Sequence, residues 1–199
     1  KCCMRMDNIC NYQQSIIVCC SDEEPEVRAA ALNLWPILNL DREQLYQALN
    51  DPDSLVVAHA ITAICSLEQP PDYPKVMVAV QRCLDEGETS AATMCQAISE
   101  AGLEEFSPRL VTMLYSSPRL RTAACEALGK LQNRNCIPVI IEVYSQGDRS
   151  FHKVADQALI DMGEDAVSVL LDEINKQTDL RSWLAIIKAL SAFNRGDEL

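Results

Sequence analysis

Ten cysteines and two histidines are the side chains here with the widest chemical repertoire. Cys2, Cys3, Cys10, Cys19 and Cys20 crowd together near the start, where a metal site, a lipid attachment or a reactive thiol is the chemistry such a group could serve. Cys65, Cys83, Cys95, Cys125 and Cys136 are spread through helix-like runs such as TMCQAI and AACEAL. No two cysteines take C-x-x-C spacing, and His59 and His152 stand far apart without a second histidine or a spaced glutamate beside them. The thiols therefore read as small buried hydrophobes in a reducing setting, and the histidines as structural or solvent-facing. Neither a nucleophile elbow nor a phosphate-binding loop is present in the sequence. Catalysis and a bound cofactor are not expected.

The remaining candidates are polar side chains that become visible only through a repeat. With Arg28, Val57, Ala91, Arg121, His152 and Trp183 set as equivalent anchors, the intervals are 29, 34, 30, 31 and 31 residues. Seven residues after each anchor stands a large apolar residue: Trp35, Ile64, Ile98, Leu128, Leu159 and Leu190. The residue before it is Leu34 once and alanine in every other copy, at Ala63, Ala97, Ala127, Ala158 and Ala189. Apolar residues continue three positions further on, which is helical spacing, and the alanines allow a neighbouring helix to come close.

Each copy therefore predicts a second helix, B, preceded by a first helix, A, in the apolar runs 9–20, 45–49, 76–84, 110–115, 139–144 and 167–174. The links SDEEPE, NDPDS, DEGETS, SSPR, SQGDRS and NKQTD supply capping oxygens, and Pro25, Pro52 and Pro118 suit a first helical turn. Pro36 should break the first B helix, and Pro70, Pro71 and Pro74 mark the longest connection. Six repeats follow, at about 5–38, 42–68, 73–102, 107–132, 136–163 and 165–195, within one domain of 1–199. The bulk of Trp183 and Phe193 suggests a terminal unit closing the core edge.

A two-helix unit of this length, with Asp51-Pro52 in its turn and an R-x-x-A-x-x-A-L line on its second helix, resembles the HEAT repeat, in particular the short variety of phycobilisome-lyase-type proteins. Arg121, Ala124, Ala127, Leu128 and Gly129 carry the resemblance, with Arg28, Ala31, Leu34 and Trp35 in the first copy and Ala60, Ala63 and Ile64 in the second. The tetratricopeptide and ankyrin signatures are absent from the sequence. The resemblance implies an all-α fold, an α-α superhelix (solenoid) of about six helical hairpins, whose B helices line an inner groove. The anchor arginine gives way to Val57, Ala91, His152 and Trp183, so an arginine ladder would be incomplete.

Five residues after each anchor, Asn33, Thr62, Gln96, Glu126, Gln157 and Lys188 form a polar column on the far side of the apolar stripe. Arg28, Arg121 and Lys153 would edge it with positive charge. Such a face suits a docked peptide or partner helix, so the expected function is a non-catalytic scaffold binding a protein partner. Two other readings stand beside it. One is a bilin lyase-like or chaperone subunit acting on a chromophore protein, as the resemblance implies. The other is a cytosolic regulatory module of a larger membrane or secretion-system protein.

Lys+Arg 17 against Asp+Glu 29 gives a formal charge of −12, which opposes nucleic acid and anionic membrane partners. No run reaches the length of a membrane span, and a cytoplasmic monomer is the expected state. The chain opens on Lys1, which suggests a fragment or a processed product. The strings Arg195-Gly196-Asp197 and Gly196-Asp197-Glu198-Leu199 imitate an integrin motif and a retrieval signal, and both read as chance.

Overall fold

The computed structural model describes residues 12–38, 41–67, 71–144, 147–176 and 180–193, and every regular element among them is helical. They fall into two compact units, Lys1–Ala97 and Ile98–Leu199. The expected readings on Cys2, Cys3, Cys10 and the strings at 195–199 lie outside the described residues.

The first unit comprises α1 (12–19), α2 (Pro25–Asn33), α3 (Trp35–Leu38), α4 (Arg42–Ala48), α5 (Ser54–Cys65), α6 (Tyr73–Asp85) and most of α7 (Glu88–Glu100). The turns form where the sequence supplies caps. Asp53 accepts from the Leu55 N–H at 2.8 Å, and Asp41 from that of Glu43 at 3.2 Å. Both satisfy N–H groups that a first helical turn leaves without partners. Pro25 opens α2, whereas Pro52 sits in the turn ahead of the Asp53 cap and not in the helix itself. The B helix of the first repeat is broken as Pro36 requires: α2 stops at Asn33 and α3 restarts at Trp35. The buried Trp35 indole fixes that bend by donating Nε1–H to the Asp41 carbonyl at 2.9 Å. Helix α2 packs on α5, and α4 packs on α5.

The second unit is more regular. It comprises α8 (Ser107–Met113), α9 (Pro118–Lys130), α10 (Ile137–Tyr144), α11 (Arg149–Asp161), α12 (Val167–Ile174) and α13 (Leu180–Phe193). Ser117 and Asp148 cap α9 and α11. Helix α9 packs on α11 and α11 on α13, while α8, α10 and α12 each pack on the helix that follows.

Three B helices, α7, α9 and α11, leave by one backbone solution, at the position eleven after their anchors. Gly102, Gln132 and Gly163 all have positive φ, at 65°, 54° and 76°. At the first of these, Gly102 N–H donates to Ser99 O and Leu103 N–H to Ile98 O, the paired bonds that close a helix through a left-handed residue. Gln132 and Asn133 repeat the pattern on Gly129 O and Leu128 O. A short 3-10 turn then leads into the next hairpin, at 104–106, 134–136 and 164–166. Glycine adopts such φ values without steric cost; Gln132 adopts one with a Cβ.

The column seven after the anchor supplies the core. Trp35, Ile64, Ile98, Leu128 and Leu159 are fully buried, each contributing about 1.5–3 kcal/mol by leaving water. Met94 and Ile186, which replace a small residue three after the anchor, are buried as well. The alanine column marks the closest approach of B helices: a Cβ built on Gly129 would stand 2.6 Å from Ala158 Cα. No described helix is long and apolar enough to cross a membrane.

Candidate protein-binding face

The polar column lies on the exposed flank of the B helices, for the same periodicity that buries the columns beside it. Asn33, Gln96, Glu126, Gln157 and Lys188 are exposed and Thr62 is half-buried. In the first unit, Asn33 Oδ1 lies 2.8 Å from His59 Nδ1, which joins α2 to α5. Thr62 donates to the His59 carbonyl at 3.0 Å, so Asn33, His59 and Thr62 sit together. Gln96 is exposed on α7.

In the second unit, Glu126 pairs with Lys130 at 2.9 Å and Gln157 donates to Asp161 at 2.7 Å, each along its own helix. Lys188 reaches across from α13 to Asp156 on α11 at 2.9 Å. That carboxylate also accepts from the Tyr144 hydroxyl at 3.0 Å, and Lys188 Nζ stands 3.4 Å from the same hydroxyl. The bond to Asp156 holds the Lys188 ammonium above the ordinary lysine range. Burial, then the adjoining carboxylate, pushes the Tyr144 phenol up.

Three of the anchor side chains, Arg28, Arg121 and His152, are latches on the A–B turns. Arg28 makes a two-bond fork on Asp51, Nε to Oδ2 and Nη2 to Oδ1, both at 2.9 Å. Its Nη1 donates to the Asp22 and Glu23 carbonyls at 2.9 and 3.0 Å. Arg121 donates from Nε to the Leu114 carbonyl at 3.0 Å, at the end of α8, and its guanidinium lies 5.8 Å from the centre of the Phe151 ring. His152 stands in for an arginine: Nε2 lies 2.9 Å from the Tyr144 carbonyl at the end of α10, and its ring stacks on Tyr144 with centroids 4.3 Å apart. Orphan carbonyls at the helix C-termini thus receive a donor from the following helix. Lys153 is exposed on α11.

Two clefts in the first unit had no signal in the repeat alignment. One, of about 300 Å³, is lined by Tyr46, Leu49, Pro74, Lys75, Val78 and Arg82 on α4 and α6, with the Lys75 ammonium 4.9 Å from the Tyr46 ring centre. Val78, off the apolar stripe of α6 and largely exposed, was the one available clue. The other, of about 230 Å³, lies beside the Arg28–Asp51 pair, with Cys20 and Gln44 on its wall.

Burial pushes the Cys20 thiol up to about 11, and Cys95 and Cys136 up to about 12; Cys83 and Cys125 move the same way. Thiols held protonated are poor nucleophiles and poor ligands. Among the described residues, no group of three His, Cys, Asp or Glu side chains is placed to hold a metal ion.

Solved structures decide the class of this architecture. An engineered protein solved by the Northeast Structural Genomics Consortium superposes with a TM-score of 0.55 and 16% identity, covering 92% of this chain and 96% of that one. The karyopherin Kap121p, bound to the SUMO protease Ulp1p, superposes with a TM-score of 0.55 and 17% identity over 92% of this chain. The fold is that of a HEAT-like helical repeat. Kap121p bound to the extreme C-terminus of the phosphatase Cdc14p gives a TM-score of 0.56, again at 17% identity. This HEAT-like chain spans about a quarter of the length of Kap121p, 25% in both complexes. No family model matches the sequence, and no curated protein matches it.

Proposed function

We propose that the chain is a non-catalytic scaffold that captures a protein segment along the exposed flank of its B helices. Asn33, Thr62 and Gln96 would carry recognition in the first unit, and Glu126, Gln157, Lys153 and Lys188 in the second. The observation behind this reading is the column itself. Its members are polar and mostly exposed on helices whose opposite faces are committed to packing. Exposed polar side chains recurring at regular spacing suit an extended partner segment. Kap121p, which shares the fold, is a protein solved with protein partners on it. Arg28 and Arg121 serve this reading indirectly, by fixing the turns that set the B helices in place.

The setting this reading takes is reducing and cytoplasmic, where cysteines such as Cys95 and Cys136 persist as small buried apolar groups. Replacing Glu126→Lys together with Gln157→Lys makes the second-unit flank three charges more positive. Pull-down from native lysate should lose its specific partner, while the melting temperature stays put, because exposed substitutions move stability by less than about 0.5 kcal/mol. Unchanged capture by the double variant would reject the flank as the binding face.

A further inference from the structure

Trp183, expected to close a core edge, is instead 43% exposed on α13. Val78 on α6 is more exposed still, at 71%, and it stands in the wall of the cleft of about 300 Å³ in the first unit. That cleft runs between two A helices, and none of its lining residues belongs to a B helix. Tyr46, Leu49 and Asn50 fall at i, i+3 and i+4 on α4 and the turn that ends it; Lys75, Val78 and Arg82 fall at i, i+3 and i+7 on α6. Either spacing puts its members on one helix face.

The two ends of the cleft are unlike. At one, the Asp72 N–H donates to the Tyr46 hydroxyl at 2.8 Å, and the Lys75 ammonium, over the Tyr46 ring, pairs with Asp72 at 3.2 Å. That cation is committed within the chain, and Tyr46, Pro74 and Val78 present apolar surface beside it.

At the other end, Arg82 reaches back to the close of α4. Its Nη2 donates to the Leu49 carbonyl at 2.9 Å and stands 3.4 Å from that of Asp51. The rest of the guanidinium is unspent. Glu86 Oε1 lies 3.2 Å from Nε, but out of line, so the buried Nε–H has no acceptor. Both side chains of that ion pair are more than a third exposed, where such a pair holds weakly. Neither Nη1 nor the Asn50 amide makes a hydrogen bond among the described residues. Folded chains seldom leave such a donor unsatisfied, and turning this guanidinium toward an incoming oxygen breaks no bond at Nε.

We propose that the cleft binds the C-terminal residue of a partner protein. Its apolar side chain lies against Tyr46, Pro74 and Val78, and its carboxylate accepts from Arg82 Nη1 and the Asn50 amide. A volume of about 300 Å³ is small for a ligand cleft and suits a single residue. A chain terminus carries an apolar side chain and a carboxylate on one Cα, whereas an internal Asp or Glu needs a second residue to supply the apolar group. Charge-assisted bonds from a guanidinium then reward the carboxylate over its amide. The site stands apart from the polar flank and does not rest on it.

Two-dimensional NMR titration of the chain tests this with three probes: N-acetyl-leucine, its uncharged twin N-acetyl-leucinamide, and N-acetyl-leucyl-glutamate blocked as the C-terminal amide, whose only carboxylate is a side chain. N-acetyl-leucine should saturably shift the amides of residues 46–50 and 74–82 and the Arg82 Nε–H signal, in the millimolar range that suits so small a ligand. The other two should bind at least about tenfold more weakly. Val78→Glu, a change at an exposed position, should abolish binding, and Glu86→Gln should tighten it by freeing Arg82. Arg82→Gln should erase the preference for acid over amide; Asn50→Ala, which disturbs no bond of the fold, should reduce it. Equal binding of acid and amide overturns the proposal, as does the absence of localised shifts. Equal binding of the blocked leucyl-glutamate also overturns it, in favour of an internal acidic segment. None of these residues lies on the polar flank, so each failure leaves partner capture there to its own test.

Discussion

The first unit and the second solve the same packing problem by different means. Between α2 and α5, the helices are tied by polar side chains: the Arg28 fork on Asp51 and the Asn33–His59 contact. Between α9 and α11, the joint is steric, with Gly129 set so tightly against Ala158 that a methyl group has no room. The connections differ accordingly. Prolines break or stretch those of the first unit, while the left-handed exit and 3-10 turn repeat through the second. An ion pair tolerates irregular backbone around it, because its side chains can reach; close backbone approach demands that each hairpin leave its neighbour at the same angle.

The sharpest break of the comparison is at the steric joint. Gly129→Leu should cost about 3 kcal/mol, since the added volume meets backbone and not a movable side-chain end. Hydrogen exchange should accelerate in α9 and α11 first; equal protection before and after would mean that the joint is slack. Alkali probes both units together through their buried thiols. Folded-state values above the ordinary thiol range mean that the unfolded chain loses its protons first. Stability is thus untouched below that range and falls as pH rises through about 9 to about 12. Each such thiol should withdraw on the order of 1–2 kcal/mol by the middle of that window, and Cys95→Ala or Cys136→Ala should flatten the alkaline limb of a melting-temperature curve.

The electrostatic joint should respond differently. Arg28→Gln lowers the melting temperature at low ionic strength, and the gap to the unmodified chain narrows as salt screens the pair. Gly129→Leu should show no such salt dependence, so the two titrations separate the two kinds of joint. The smallest effect has the opposite sign. Gln132→Gly relieves a Cβ at positive φ and should stabilise the second unit by about 0.5–1 kcal/mol, less the Gln132 side-chain bond to the Asp161 carbonyl.

The helices were legible because burial writes a period into the chain: the column Trp35 to Leu159 and the alanines before it identify the B helices without coordinates. Pro36 announced its own break. The latches were not legible in the same way. Arg28 and Arg121 looked like charges edging a face, and His152 like a departure from an arginine ladder, because helix periodicity says nothing about side chains that turn back onto a preceding loop. The exit column was half visible, in Gly102 and Gly163, but Gln132 hid the rule. Leu34 and Ile187 obey the apolar pattern, so sequence alone counts them as core; only the structure shows them about half exposed.

The shared exit geometry has a consequence for how the chain can change length. Gly102, Gln132 and Gly163 stand 30 and 31 residues apart in one backbone conformation, each handing over to the same short turn. A cut made at any two of them removes a self-contained cassette whose ends already match, and duplication there inserts one without disturbing the splice. The backbone splice for growth or trimming by whole hairpins is therefore already present in the second unit. In the first, where Pro36 and the Arg28–Asp51 fork tie particular neighbours together, the same edit would sever bonds that no other pair can remake.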